Sequence, residues 1–336
     1  MSLFRILFLP VSFIALFHVS PIFAEESYFI SKSQVVSDLD TFQECEACPS
    51  MVVLPKGYFS FGSTEKEARE AHRRFKIGLN IDPDEVPDPY DTFVSETPKH
   101  DVTIDVPIAM GLTEVTREEW AACVAERRCA DEADARIRFR LRNGPYQDHP
   151  RSPITAVTYT EMQDYLAWLN DKVGAKVYRL PTEVEWEYAA RAGAKTIFAQ
   201  GDSLTREQAN FSIYWREIEG GRSVWKRDPG NEKRPVTVDE LDAANSWGLR
   251  HMSGNVSETT RSCWSEGHLG FASSARYLAA SYRPLGCRRV GKGGSYGASV
   301  ELARPARRVG HPEDYWGPWV GFRIVRELKA EDNQEG

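Results

Sequence analysis

Three of the Thr-x-x-Glu steps in this chain of 336 residues lead into helical patterns, and each commits a short stretch to opening a helix. In such a capping box the Thr hydroxyl accepts from the backbone N–H three residues on. The Glu carboxylate reaches back to the backbone N–H of the Thr, so two otherwise free donors are satisfied. The first box, Thr116 with Glu119, opens a helix carrying Trp120, Cys123 and Val124 on one side. The second is Thr158 with Glu161. Met162, Tyr165, Leu166, Leu169 and Val173 follow at helical spacing and predict one buried face. The third, Thr182 with Glu185, comes directly after Pro181, and its helix mixes Trp186, Tyr188, Ala189 and Ala190 with acids. Elsewhere 24 Gly and 19 Pro break the chain into short strands and many turns. Residues 51–63 read as a Gly-punctuated hairpin. Residues 82–91, with three prolines and five acids, read as a solvated loop or a calcium contact.

The ends and the charge bound the setting. One early cation, Arg5, precedes an apolar run from Ile6 to Phe17, then Pro21, and Ala24 before Glu25 and Glu26. That layout predicts a cleavable signal peptide over residues 1–24 and a periplasmic or secreted protein; the alternative is an uncleaved anchor. Residues 25–49 read as an exposed polar lead-in and 328–336 as a disordered polar tail. A net charge of −7 and a pI near 5.6 give no support for a nucleic-acid partner. All six cysteines follow the export segment, where an oxidising compartment permits disulfides. Proximity favours Cys45 with Cys48, Cys123 with Cys129, and Cys263 with Cys287. A redox or metal role for the Cys45–Cys48 step is the alternative.

Residues 135–142 alternate perfectly. As a strand they would put Ile137, Phe139 and Leu141 on one face, and Arg136, Arg138, Arg140 and Arg142 on the other. Four like charges on one face repel each other, so this stripe reads either as a solvated surface or as a contact for an anionic partner.

The segment Arg179-Leu-Pro-Thr-Glu-Val-Glu-Trp-Glu-Tyr-Ala-Ala-Arg191 resembles the signature helix of the sulfatase-modifying-factor family, the formylglycine-generating enzymes and their relatives. Further landmarks follow in family order. Glu96-Thr-Pro-Lys-His100 precedes a strand, and Thr113-Glu-Val-Thr116 leads the first capped helix. Asn245-Ser-Trp-Gly-Leu249 comes before Met252-Ser-Gly-Asn-Val-Ser-Glu258, then Lys292-Gly-Gly-Ser-Tyr296 and Gly321-Phe-Arg323. The resemblance spans residues 50–327 and implies a single loop-rich α+β domain, related to the C-type lectins and low in regular secondary structure. It also implies structural Ca²⁺ on oxygen ligands. One site would use Asn210, Asp228 and the carbonyls of Phe211 and Gly230. A second would use Glu258 with the carbonyls of Gly254 and Val256. His251, a poor calcium ligand, stands at the remaining position of the second site.

The departure from the family concerns its chemistry. Oxidases that resemble this chain carry two copper-binding cysteines, two and seven residues beyond the Tyr of Gly-Gly-Ser-Tyr. Here those positions are Ala298 and Ala303, so neither copper nor cysteine-to-formylglycine oxidation is expected, and no catalytic residue is assigned. His251, His268 and His311 show no ligand spacing for the iron of thiol-oxygenating relatives. The segment that replaces the cysteines offers Glu301, Arg304, Arg307, Arg308, His311, Glu313, Asp314, Tyr315, Trp316 and Trp319, a set that reads either as a site for an anionic or aromatic small ligand or as an ordinary polar surface. The resemblance thus points to an exported, non-catalytic accessory protein that regulates a partner protein in the periplasm or at the membrane surface. A periplasmic activator in the type VI secretion threonine-kinase pathway is one such relative. The alternative is a periplasmic metal-dependent oxidase or maturation enzyme with a divergent site, as in pyoverdine-type siderophore maturation.

Overall fold

Thr116, Thr158 and Thr182 each cap a helix as their spacing predicts, with both bonds of the box present, and a fourth box at Thr64 with Glu67 does the same. The computed structural model describes residues 26–31, 34–84, 92–133, 135–137, 149–227, 234–283 and 285–330. Its five main helices are α1 (Glu65–Gly78), α2 (Arg117–Ala125), α3 (Tyr159–Val173), α4 (Glu183–Arg191) and α5 (Ser274–Ala280). None is long and apolar enough to cross a membrane. The strands form small sheets. An antiparallel five-stranded sheet runs in the order Thr41–Phe42, Met51–Val53, Ile108–Gly111, Val325–Glu327, Tyr178–Arg179. A four-stranded sheet orders Val309–His311, Arg289–Lys292, Ser257–Cys263 and Val320–Gly321, the last pairing parallel.

The apolar face of α3 lies in the core with α2. The Trp120 and Tyr165 rings stack at 5.7 Å, and Phe322 meets Tyr165 edge-on at the same distance. Helix α4 differs, because eight of its nine residues are buried, three glutamates among them. A buried carboxylate persists only if a cation and further donors answer it. Glu183 takes Arg308 in a two-pronged pair at 2.7 and 3.1 Å. Glu185 takes Arg179 likewise at 2.8 and 2.7 Å, while Glu187 holds Lys292 at 3.0 Å and Arg191 at 2.9 Å. Burial alone would raise the Glu187 carboxyl, but Lys292 and Arg191 outweigh it and hold the group well below the usual carboxylate range.

Four expectations need correction. The strands Met51–Val53 and Gly57–Phe61 do not pair as a hairpin; the first joins the five-stranded sheet and the second pairs with His100–Ile104. The stretch 25–49 is not an exposed lead-in. Ser27–Ser31 pairs with Gln34–Ser37 and with Lys329–Ala330, burying Tyr28, Ile30 and Val36. The tail at 328–336 therefore begins structured, with Leu328 buried and residues 329–330 in a strand. Residues 135–137 are helical, so the alternating segment does not start as a strand. Arg136 there is tied to Glu132 and Glu161, each at 2.7 Å. Arg138, Arg140 and Arg142 lie outside the described residues. The expected pairings Cys45–Cys48, Cys123–Cys129 and Cys263–Cys287 are all formed.

Arg308 is the cleanest place to test the buried pairing. Arg308→Met strands Glu183 as an uncompensated buried charge and is expected to cost about 3–5 kcal/mol in urea denaturation. Combining it with Glu183→Leu should restore most of that loss. A single variant within about 1 kcal/mol of the parent, the range of an exposed ion pair, would refute the assignment.

Candidate functional site: a thiol-free cleft beside the double-glycine turn

Helix α4 also packs beneath the glycine turn that borders the candidate site. Gly293 and Gly294 both have positive φ, and a Cβ on Gly293 would stand 3.0 Å from the Trp186 ring. A Cβ on Gly294 would come within 2.7 Å of the Leu302 carbonyl, so only glycine lets the chain fold back over itself here. Beyond this turn, residues 295–311 border a cleft of about 510 Å³ whose walls include Ser295, Ala298, Arg307, His311, Trp319 and Arg227.

Ala298 lines the cleft, and its carbonyl accepts from the Ser212 N–H at 2.8 Å. Ala303 does not line it. It is fully buried in an apolar cluster with Phe198, Leu204, Ala209 and Phe211. Ser295 Oγ accepts from the Gly297 N–H at 3.3 Å, and no hydrogen bond joins Ser295 to His311 among the described residues. The nucleophile–base contact that would activate a hydroxyl is therefore missing in this geometry. His311 stacks flat on Tyr315 at 4.6 Å, and burial, with help from Arg288, lowers its pKa to about 4. The cleft wall holds two arginines and Lys292 but no carboxylate among the described residues. Arg307, half-buried over the Phe93 ring at 4.8 Å, has its pKa lowered by desolvation to about 10. Such a wall favours an anionic or aromatic occupant.

The other residues expected in this region are divided. Arg304 is spent on Glu96 at 2.7 Å, Arg308 on Glu183, and Glu313 on Arg289 at 2.7 Å. Glu301 pairs with Arg74, and Asp314 is exposed. Arg227 was not anticipated. It arrives on the second strand of a ribbon, Tyr214–Glu219 with Arg222–Arg227, turned by Gly220 and Gly221. That Gly-Gly between β-branched and aromatic residues is the signal that marks it.

The proposed calcium ligands meet mixed geometry. Glu258 Oε2 accepts from Trp186 Nε1 at 2.6 Å and from Arg323 Nε at 2.5 Å, and Oε1 accepts from Arg323 Nη2 at 2.6 Å. The Arg323 guanidinium therefore already answers this carboxylate. His251 beside it is buried with neither ring nitrogen bonded, and burial lowers its pKa to about 3. This donor set, with the carbonyls of Gly254 and Val256, does not fit a hard dication. Asn210 and Phe211 lie side by side, with the Asn210 Nδ2 donating to the Arg234 carbonyl at 3.0 Å. Asp228 and Gly230 of that site lie outside the described residues.

A loop-rich α+β domain with this buried helix and this double-glycine cleft has the fold of the formylglycine-generating enzymes. Residues 37–328 match the sulfatase-modifying factor enzyme 1-like domain, and the chain belongs to that family. It is 29% identical over 194 residues to a formylglycine-generating enzyme of Mycobacterium tuberculosis, covering 55% of this chain and 61% of that one. It spans roughly half the length of the first such enzymes it matches, between 45% and 61%. It is 24% identical to the mouse inactive C-alpha-formylglycine-generating enzyme 2, covering 82% of this chain and 85% of that one. The solved structure of PvdO from Pseudomonas aeruginosa is similar with a TM-score of 0.61 and 26% identity, over 87% of this chain and 99% of that one.

The buried imidazoles set an acid limit. His251, His268 and His311 have pKa values lowered by burial to about 3, 2 and 4, below the ordinary 6.5. Groups depressed in the fold contribute stability above the unfolded value that is lost as pH falls. Glu114 opposes them: burial and then Glu258 raise it to about 8, so its contribution is lost as pH rises toward that value. Burial raises Glu119 as well, so three histidines stand against two glutamates, and unfolding near pH 5.5 takes up protons on balance. The melting temperature should therefore fall between pH 6.5 and 5, and His268→Gln should flatten that slope. An unchanged slope in the variant would contradict the assignment.

Proposed function

We propose that this protein is an exported, non-catalytic binding member of its family that uses the double-glycine cleft to recognise an acidic or aromatic segment of a partner protein. The observation that carries the reading is the cleft wall itself. It presents Arg227, Arg307 and Trp319 with no thiol and no carboxylate among the described residues, and Ala298 stands where the family resemblance places a copper-binding cysteine. Cations beside aromatic rings bind anions without any redox centre. The similarity to a relative described as inactive supports the same reading. The specific partner we propose is the outer domain of a membrane threonine kinase of the type VI secretion pathway, reached after export through residues 1–24. Arg138, Arg140 and Arg142 are proposed as additional contacts. Calcium is proposed as a structural ion at Asn210, Phe211, Asp228 and Gly230 only. Similarity to PvdO keeps a second reading in play, a periplasmic oxidase or maturation enzyme with a divergent metal site.

Metal analysis of the mature protein separates these readings. The expected result is calcium without copper or iron, a lower melting temperature in chelator, and no oxygen uptake with thiol peptides. Trp319→Ala should weaken binding to the kinase outer domain at least about fivefold, the usual scale of losing an aromatic anchor. Stoichiometric copper or iron with thiol-dependent oxygen uptake would replace the binding reading by the enzymatic one.

A further inference from the structure

A second pocket, of about 480 Å³, shares no wall residue with the double-glycine cleft. It lies between α3, which contributes Tyr159, and the loop after α5, which contributes Tyr282 and Leu285. At its inner end stands Arg261, near the close of the strand Ser257–Cys263.

Arg261, half-buried, differs from the fully buried arginines. Arg179, Arg289, Arg304, Arg308, Arg323 and Arg326 are all buried, and each pairs with a carboxylate at 2.5–2.8 Å. Arg261 forms no ion pair and no side-chain hydrogen bond among the described residues, and its Nε is shut off from solvent without an acceptor. Its guanidinium stands 5.1 Å from the Tyr282 ring. A cation–π contact recovers about 0.5–2 kcal/mol and leaves the Nε donor without an acceptor. Arg179, another cation in the wall, holds Glu185 and Glu327 in its own hydrogen bonds, so neither acid bonds to Arg261. Asp164, the acid in the wall, is exposed. The Tyr159 hydroxyl also forms no hydrogen bond among the described residues, so a donor stands ready beside the cation. At the mouth, Tyr282 is 77% and Leu285 63% exposed, so both are open to an occupant.

The pocket is held in shape. The Cys263–Cys287 disulfide closes the loop onto the strand of Arg261. Arg289 Nη2 donates to the Arg283 carbonyl at 2.7 Å, and the Gly286 N–H donates to Glu313 Oε2 at 2.8 Å. Such pinning reduces the ordering cost of binding.

We propose that this pocket binds a carboxylate carried on an aromatic or branched aliphatic body, the carboxylate facing Arg261 and Tyr159 and the body lying against Tyr282 and Leu285. A single guanidinium and a phenol match a planar monoanion, and a phosphate dianion would call for more donors. A free aromatic acid and the C-terminus of a peptide share this chemistry. This proposal stands independently of the role of the double-glycine cleft.

Titration calorimetry with the mature protein tests it, using 3-phenylpropionate and N-acetyl-phenylalanine beside their amides. Each acid should bind at least about tenfold more tightly than its amide, the scale of losing a charge-assisted pair. Tighter binding of N-acetyl-phenylalanine would mark a peptide terminus as the source, and tighter binding of 3-phenylpropionate a free acid. Arg261→Gln should abolish the preference for acid over amide. Tyr282→Ala, on the exposed rim where folding is not at stake, should weaken both acids at least about threefold. Arg227→Ala, in the other cleft, should change neither. Equal binding of acids and amides, an unchanged preference in Arg261→Gln, or no binding of either acid at about 10 mM, near the weak limit of specific ligands, would overturn the proposal.

Discussion

Glu183, Glu185 and Glu187 sit at alternate positions of one buried helix, and the demand they create for cations organises most of the chain. Residues two apart on a helix point in different directions, so no single neighbouring segment can answer all three. Arg308 comes from beyond the double-glycine turn, Arg179 from the strand just before the helix, and Lys292 from the four-stranded sheet. Between them Trp186 donates to Glu258, which in turn holds Arg323. Three distant stretches, bearing Arg308, Lys292 and Glu258, therefore converge with the adjacent Arg179 on one short helix.

Such pairs are a weak source of net stability, since desolvating the charges consumes much of what the pairing returns. Their directional geometry instead disfavours alternative packings, in which a buried carboxylate would be left alone. A chain with short strands, many turns and small sheets has little regular hydrogen bonding to define its arrangement. Here the ion pairs, together with three local disulfides, take on part of that task.

The parts legible in the sequence were those with local signatures. The Thr-x-x-Glu boxes announced α2, α3 and α4 because capping is settled within four residues. The same signature at Thr64 was present and would have announced α1. Disulfide pairing was readable from proximity alone. Pairings between distant segments were not: nothing near Met51 says that its strand joins Ile108–Gly111 while Gly57–Phe61 leaves for another sheet. The polar composition of residues 25–49 hid Tyr28, Ile30 and Val36, whose burial depends on a strand some three hundred residues away. The alternation at 135–142 fits a strand by period, yet Arg136 finds Glu132 one turn back and Glu161 at the start of α3, and a helix serves those contacts. In the cleft, the alanines at 298 and 303 were visible as letters. That one lines the opening and the other is sealed in an apolar cluster was not.

The antiparallel pairing of Ser27–Ser31 with Lys329–Ala330 has a mechanical consequence. Tyr28 stands opposite Ala330 and Phe29 opposite Lys329, so the chain enters before residue 28 and leaves after residue 330 at the same end of the pair. Tension applied between those two ends would load this ladder one rung at a time, as a zipper is opened, and would not shear all its bonds together. A pull on the molecule would peel this small sheet away first, leaving the charged helix and the cleft it supports intact behind it.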